Sequence, residues 1–295
     1  MTVSERRRGA DYELLLLRPQ QQTKQRQVTL FLPGNPGLVD FYEPMCRDLV
    51  RLTATPVVVV GYRGFASSPP RNVWPLPSFD LESQIAHARR VLDDVAREHD
   101  AVALVGHSIG ALIALDILAT EEKVRAVAAM MPFVAANDAS PTYRAKRAIA
   151  TFPGVRLVFA FLAACLRILP AARRSALMAA LGQPTKNMSE SARMLAVDAM
   201  TRPYNLHAMI AMGASEFRSQ RIIEGPDEAW RHRAASVGVV YATGRDDWVK
   251  DDAPAEMRRR GVETHFVEAD HDFCTRTETS ASCARTVASI IATRM

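Results

Sequence analysis

Ala101-Val-Ala-Leu-Val-Gly106-His107-Ser108-Ile109-Gly110-Ala-Leu-Ile-Ala-Leu115 is the stretch whose reading decides the fold. A short apolar run ends in Gly-x-Ser-x-Gly, and an apolar helical pattern follows at once. In that strand–turn–helix context the pattern has a mechanical meaning: a turn so sharp that the serine is strained and its hydroxyl exposed. Glycines two residues to either side leave room where strand and helix almost touch. Ser108 then sits at a helix N-terminus, where free N–H groups favour developing negative charge. The pattern alone is an ordinary Gly/Ser turn; its flanks make Ser108 a candidate nucleophile.

Outward from this turn, strand and helix patterns alternate. Tyr12 to Leu17 reads as an edge strand after a polar start, and a glutamine-rich turn divides it from Val28–Leu32. Phe41 to Leu52 reads as a helix capped by Asp40, and Val57–Val60 is a run of β-branched residues suited to a strand covered on both faces. A helix from Phe79 to Arg97 leads to the central turn, and Val124–Met130 is the next strand. Val237–Tyr241, a helix near Pro254–Arg260, Val262–Val267 and a helix from Ser280 to Ile291 complete the series. The alternation predicts an α/β fold, a mostly parallel doubly wound sheet with ligands at the carboxyl ends of its strands. Between Phe133 and Ala235 the rhythm breaks into helical, Ala/Arg/Met-rich sequence. The expected organisation is a core of residues 11–132 and 236–295 with a helical cap insertion at 133–235.

Composition excludes several classes. Apolar residues make up 48% of the 295, which describes a globular chain able to bury a large core. Cys46, Cys165, Cys274 and Cys283 have neither metal-ligand nor disulfide-framework spacing, so no metal and a reducing compartment are expected. A net charge of +5 is modest, and no nucleic-acid partner is expected. The first ten residues hold no apolar core of signal-peptide length, and no stretch reaches the roughly 18 apolar residues of a membrane span. The oligomeric state is not legible.

A serine hydroxyl needs a base, usually a histidine that is itself oriented by a carboxylate. The α/β-hydrolase order is serine, then an acid after a late strand, then histidine after the last. Strand Val237–Tyr241 leads into Gly244-Arg-Asp246-Asp247-Trp248-Val249, and strand Val262–Val267 leads into Asp270-His271-Asp272. His271 is the candidate base and Asp246 its partner, with Asp247 the rival carboxylate. The ordinary alternatives are a loop histidine paired with Asp270 or Asp272, and an aspartate that merely forms a turn. His107 reads as packing in the elbow. Backbone N–H groups of Ile109 and of Asn35, in the loop Pro33-Gly-Asn-Pro-Gly37, are the candidate oxyanion donors.

Pro33-Gly-Asn-Pro-Gly-Leu-Val-Asp-Phe-Tyr42, Gly106-His-Ser-Ile-Gly110, Tyr241-Ala-Thr with Asp246-Asp-Trp248, and His271-Asp-Phe273 together resemble the lipid-droplet-associated hydrolase family. The resemblance implies an α/β-hydrolase fold and a location on lipid droplets or the cytoplasmic face of the endoplasmic reticulum. It also implies hydrolysis of a lipid ester, sterol or acylglycerol, without an organic cofactor. Asp-Asp-Trp replaces the family's usual Asp-Pro-Trp, with one extra residue after Tyr241, which leaves Asp246 and Asp247 both open. The rival functions are a droplet coat or tethering protein with little turnover and an acyltransferase using the same serine.

The insertion has a surface chemistry of its own. From Ala139 to Ser189 there is no acidic residue, while Arg144, Lys146, Arg147, Arg156, Arg167, Arg173, Arg174 and Lys186 are basic. Pro153 and Pro170 bound an apolar segment of roughly 24 Å as helix, short of a bilayer core of about 30 Å. Phe159, Phe161, Leu162 and Leu166 are the candidate contacts to a lipid surface, with arginines at headgroup level. The competing expectation is a cap helix buried over the active site.

Overall fold

The runs of β-branched and small apolar residues become the buried middle of one sheet. The computed structural model describes residues 2–20, 26–66, 78–180, 188–219, 228–244 and 246–295. Its strands are β1 (Thr2–Arg8), β2 (Glu13–Pro19), β3 (Gln27–Leu32), β4 (Val57–Val60), β5 (Ala101–His107), β6 (Val124–Met130), β7 (Val237–Ala242) and β8 (Glu263–Val267). They lie in the order β1-β2-β4-β3-β5-β6-β7-β8. The first two are antiparallel to their neighbours and the rest are parallel. Every residue of β4 is buried, and β5 and β6 each expose only one position near the start. Strands covered on both faces have no need of polar alternation.

Helices α1 (Glu43–Thr53), α2 (Leu81–Glu98) and α3 (Ile109–Leu118) follow the first half of the sheet in chain order. Five more, α4 (Pro141–Thr151), α5 (Val155–Arg167), α6 (Ala171–Ala180), α7 (Glu190–Met200) and α8 (Pro203–Glu216), lie between β6 and β7, where the described residues hold no strand. The chain ends with α9 (Ala253–Arg259) and α10 (Thr277–Ala292). Against the sheet α1 packs with α10 and α2 with α3. This is the mostly parallel α/β fold that the alternation predicts.

Three local expectations are corrected. Tyr12–Leu17 is not an edge: β1 pairs along the whole of β2 and takes that place. β1 is hidden from hydrophobic reading because almost all of it is exposed. Backbone pairing holds it, with Arg6 and Arg8 set 3.8 and 3.3 Å from the buried Glu13 carboxylate. Asp40 is not a helix cap either. Its carboxylate pairs with Arg6, and α1 begins after Tyr42 with no side-chain cap and with Pro44 in its first turn. The helix expected from Phe79 begins at Leu81, where Asp80 accepts the Ser83 N–H at 2.8 Å and stops the chain from winding earlier.

Because β3 to β8 run parallel, the loops after β3, β5, β7 and β8 emerge at one edge. What brings β5 and β3 together there is the absence of two side chains. A Cβ on Gly110 would sit 2.2 Å from the Leu32 carbonyl oxygen and 2.4 Å from that of Pro33. One on Gly106 would sit 2.3 Å from the Gly110 carbonyl oxygen. These neighbours are backbone, which cannot swing aside. Gly110→Ala is therefore expected to cost on the order of 3 kcal/mol, the upper part of the overpacking range. Gly213→Ala on α8, whose Cβ would meet only the Asn35 side chain at 3.5 Å, should be neutral or slightly stabilising. Denaturant melts of both variants check this, and equal stability of the two would refute it.

Candidate active site

The turn after β5 holds Ser108 at φ 54° and ψ −119°, a left-handed conformation that costs a non-glycine residue about 1–3 kcal/mol. Its N–H donates to the Met130 carbonyl at 2.9 Å, and its carbonyl accepts from Ala111 and Phe133 at 3.0 and 3.2 Å. The backbone is thus pinned from both sides, and the side chain projects at the N-terminus of α3, partly open to solvent.

His271, in the loop after β8, places Nε2 3.0 Å from Ser108 Oγ. Its Nδ1 lies 2.9 Å from Oδ1 of Asp246, close but not aligned as a full hydrogen bond. Catalytic contacts of this kind are often loose without substrate and tighten in the reacting complex. The same Oδ1 accepts the backbone N–H groups of Trp248 and Val249 at 3.0 Å each, which fixes the carboxylate. Asp247 points elsewhere, with Oδ1 3.4 Å from the hydroxyl of Ser140 at the start of α4. Asp270 is engaged by Arg276 at 2.7 Å. Of the candidate carboxylates the structure brings Asp246 to the ring.

His107 does more than fill the elbow. It is buried, and its Nε2 lies 2.9 Å from the carbonyl of His271 while its Nδ1 lies 2.8 Å from the Tyr42 hydroxyl. A carbonyl only accepts, so Nε2 carries the hydrogen and Nδ1 accepts from Tyr42. Burial first, then the neighbouring His271, holds the His107 pKa well below that of a free histidine, which keeps the ring neutral. The Tyr42 oxygen in turn accepts the Gly34 N–H at 2.9 Å. One relay therefore joins the loop after β3 to the loop that carries His271. The sequence signal was present in Phe41-Tyr42 and in the elbow itself, but no spacing rule pairs residues 65 apart.

The loop Pro33–Gly37 reaches Ser108. A Cβ on Gly34 would lie 3.3 Å from that of Ser108, and the Tyr62 hydroxyl fixes the loop through Pro33 O at 2.6 Å. Asn35 sends its side chain the other way, into the cap, where Nδ2 donates to Met209 O at 3.0 Å and to Glu216 Oε1 at 3.1 Å. Ile109 lies at the first position of α3, beside Ser108. Above Asp246 and His271, the rings of Phe133, Tyr143, Phe217 and Trp248 form one cluster, with Trp248 stacked on Phe217 and 6.2 Å from His271. Among the described residues no group of His, Cys, Asp and Glu is arranged to hold a metal ion.

The lipid-surface candidates lie on α5. Phe161 is 68% exposed, Leu162 50% and Phe159 37%, while Leu166 is half-buried. Arg156 and Arg167 are exposed at the two ends of the helix. Lys186 lies outside the described residues. No single described helix is long and apolar enough to cross a membrane; α4 and α5 together meet that length and composition but are bent by 89°.

Comparison with known proteins bears on the whole arrangement. The family model for the lipid-droplet associated hydrolase matches residues 25–274. A Drosophila melanogaster lipid droplet-associated hydrolase is 30% identical over 105 residues, 33% of this chain and 34% of that protein. The stretch aligned to it thus spans about a third of that relative's length. A Pongo abelii relative of the same name is 22% identical over 287 residues, 90% of this chain and 85% of its own. Among solved structures, the haloalkane dehalogenase DatA from Agrobacterium tumefaciens superposes with a TM-score of 0.70 at 16% identity, covering 99% of this chain and 97% of that one. The thioesterase domain from the curacin biosynthetic pathway gives 0.61 at 16% identity, covering 99% of each chain. At such identities the likeness is one of fold, the α/β-hydrolase fold.

Glu216 is the site residue that no motif announces. It is buried at the end of α8, with Asn35 as its partner, and burial raises its pKa to about 7 against that hydrogen bond. The other titratable groups that feel it are Tyr62 and Tyr143. The folded state binds this proton more tightly than the unfolded chain, whose carboxyl titrates near 4.5. Stability from this group is therefore full below about 4.5 and is lost as pH rises through about 7. The expected loss is on the order of 3 kcal/mol. Glu216→Gln keeps an acceptor for Asn35 and should remove that part of the pH dependence. Urea melts of both proteins across the interval test this: parallel stability–pH curves would contradict it.

Proposed function

Because this chain belongs to the lipid-droplet associated hydrolase family, we propose that it is a serine hydrolase that cleaves the carboxylic ester of a lipid, a sterol ester or an acylglycerol. The observation that carries the reading is the relay at the strained elbow: Ser108 Oγ, His271 Nε2 at 3.0 Å, and Asp246 2.9 Å from the other ring nitrogen. His271 takes the Ser108 proton as Oγ attacks the ester carbonyl. The oxyanion forms on the N–H groups of Ile109 and Asn35, and the imidazolium is stabilised by Asp246. Collapse of the intermediate breaks the ester C–O bond, and His271 returns the proton to the departing alcohol. Water, deprotonated by the same ring, then attacks the acyl-enzyme and releases the acid and free Ser108.

The cap supports work at a lipid surface, on droplets or on the cytoplasmic face of the endoplasmic reticulum. A buried cap helix would hide the apolar face of α5, whereas here Leu157, Val158, Phe161 and Leu162 are all at least half exposed. Each would gain about 1.5–3 kcal/mol on leaving water completely, enough in combination to hold the protein without a span.

Two experiments test these readings. Ser108→Ala and His271→Ala should lose ester turnover by about 10⁴-fold or more, with fluorophosphonate labelling gone in the serine variant. Asp246→Asn should cost far more than Asp247→Asn. Wild-type protein that neither labels nor turns over would leave a coat or tethering protein, and product that appears only with an acceptor alcohol would make it an acyltransferase. Phe161→Glu with Leu162→Glu should abolish flotation with lipid droplets while turnover of a short soluble ester persists. Flotation that survives the two charges would refute the surface reading.

A further inference from the structure

A cavity of about 330 Å³ opens at the bend between α4 and α5, away from Ser108, and none of the residues named in the proposed reaction lines it. Its wall includes Phe79, Phe152 and Ile210 as apolar surface, and Arg156, Arg218 and His207 as polar surface. His207 is 6% exposed, and its Nδ1 is buried without a hydrogen-bond partner. An unpaired polar atom in such a place costs about 1–3 kcal/mol, and the ring that carries it lines the cavity. Arg156 makes no hydrogen bond or ion pair among the described residues. Arg218 is steadied from behind by donating to Thr151 O at 2.9 Å. Asp80 also lines the cavity, but its carboxylate is taken by the Ser83 N–H and the Ser78 hydroxyl.

We propose that this cavity binds the phosphate headgroup of an anionic lipid, with Arg156, Arg218 and His207 as its ligands. The assignment rests on the surface reading given above. Guanidinium groups match phosphate oxygens in charge and geometry, and a neutral histidine supplies one further N–H. His207 is kept neutral chiefly by burial and then by Arg156, and an anion beside it would reverse that pressure. The apolar rim argues for a lipid over a free ion. Phe152, 67% exposed, lines the cavity, and Ile149, 53% exposed, sits three residues before it on α4. The volume lies at the lower end of ordinary ligand pockets, room for a headgroup but not for acyl chains, which would remain in the surface beneath α5.

The test uses the full chain, vesicles of phosphatidylcholine alone, and vesicles with one part in ten of phosphatidic acid. Cosedimentation should be tighter on the acidic vesicles, by about fivefold for each arginine engaged. Arg156→Gln with Arg218→Gln should erase that gain and leave binding to neutral vesicles intact. Arg144→Gln with Arg173→Gln, exposed cap arginines outside the cavity, should retain most of it. Equal loss in the two pairs would mean diffuse attraction and would overturn the proposal. In solution, dihexanoyl phosphatidic acid should raise the His207 pKa in proton NMR, and inorganic phosphate at the same concentration should not. Equal shifts from both would make it a free-anion site and overturn the lipid assignment, and no shift from either would overturn the site. If wild-type protein ignores both kinds of vesicle while His207 still responds to the soluble lipid, the surface reading fails and the headgroup site stands.

Discussion

The candidate active-site edge of this molecule depends on a crossing of backbones that admits no side chain. β5 must turn into α3 against β3, and the Leu32 and Pro33 carbonyls occupy the space that a Cβ on Gly110 would need. Only with that approach does Ser108 stand clear of the sheet, and only then does the loop after β3 come within contact of it. The strain at φ 54° is held by bonds from the end of β6 and the loop after it, Met130 receiving the Ser108 N–H and Phe133 donating to its carbonyl. Strain at such a turn persists because the surrounding sheet leaves the chain no relaxed alternative.

From that crossing the order spreads through His107. A buried, neutral imidazole has one donor and one acceptor, and here both are committed, to the backbone of His271 and to Tyr42. The ring thus fixes the height of the His271 loop above the serine, and through Tyr42 and Gly34 it fixes the opposite wall as well. A phenylalanine in its place would fill the volume, leave the His271 carbonyl without this donor and take from the Tyr42 O–H the acceptor that His107 provides. The protein therefore keeps polar groups in its most crowded region for positioning, where packing alone would not select a single loop height.

Much of this was legible in the chain because period and punctuation carry it. Val57–Val60 and Val124–Met130 are buried on both faces, so hydrophobic runs mark them to within a residue. Ser108, His271 and Asp246 stand at strand ends, where loop residues are chosen for chemistry. The illegible parts rest on long-range partners. β1 is exposed and arginine-rich, and only its pairing with β2 makes it a strand. Asp40 has the composition of a cap, but Arg6 from β1 claims it. Glu216 looks like one more helix-surface acid, and its burial follows from where α8 meets Asn35, a contact 181 residues apart. No local rule reaches such pairs, since the same residue types serve both outcomes.

The cap shows the same division between local and long-range causes. Its helices are α-helical for local reasons: Ser140 accepts the Tyr143 N–H at the start of α4, and Ser189 that of Ala192 at the start of α7. What their outer faces meet is another matter. α8 turns its buried residues inward, toward Asn35 and Phe79, and so belongs energetically to the core. α5 packs against α8 but buries only Ala163 fully, leaving its larger apolar side chains outward. A helix so arranged is held to the protein by its small residues and offers its large ones elsewhere. With no acidic residue between Ala139 and Ser189 to repel anionic headgroups, that outward face suits the proposed attachment to an apolar phase with a negatively charged rim.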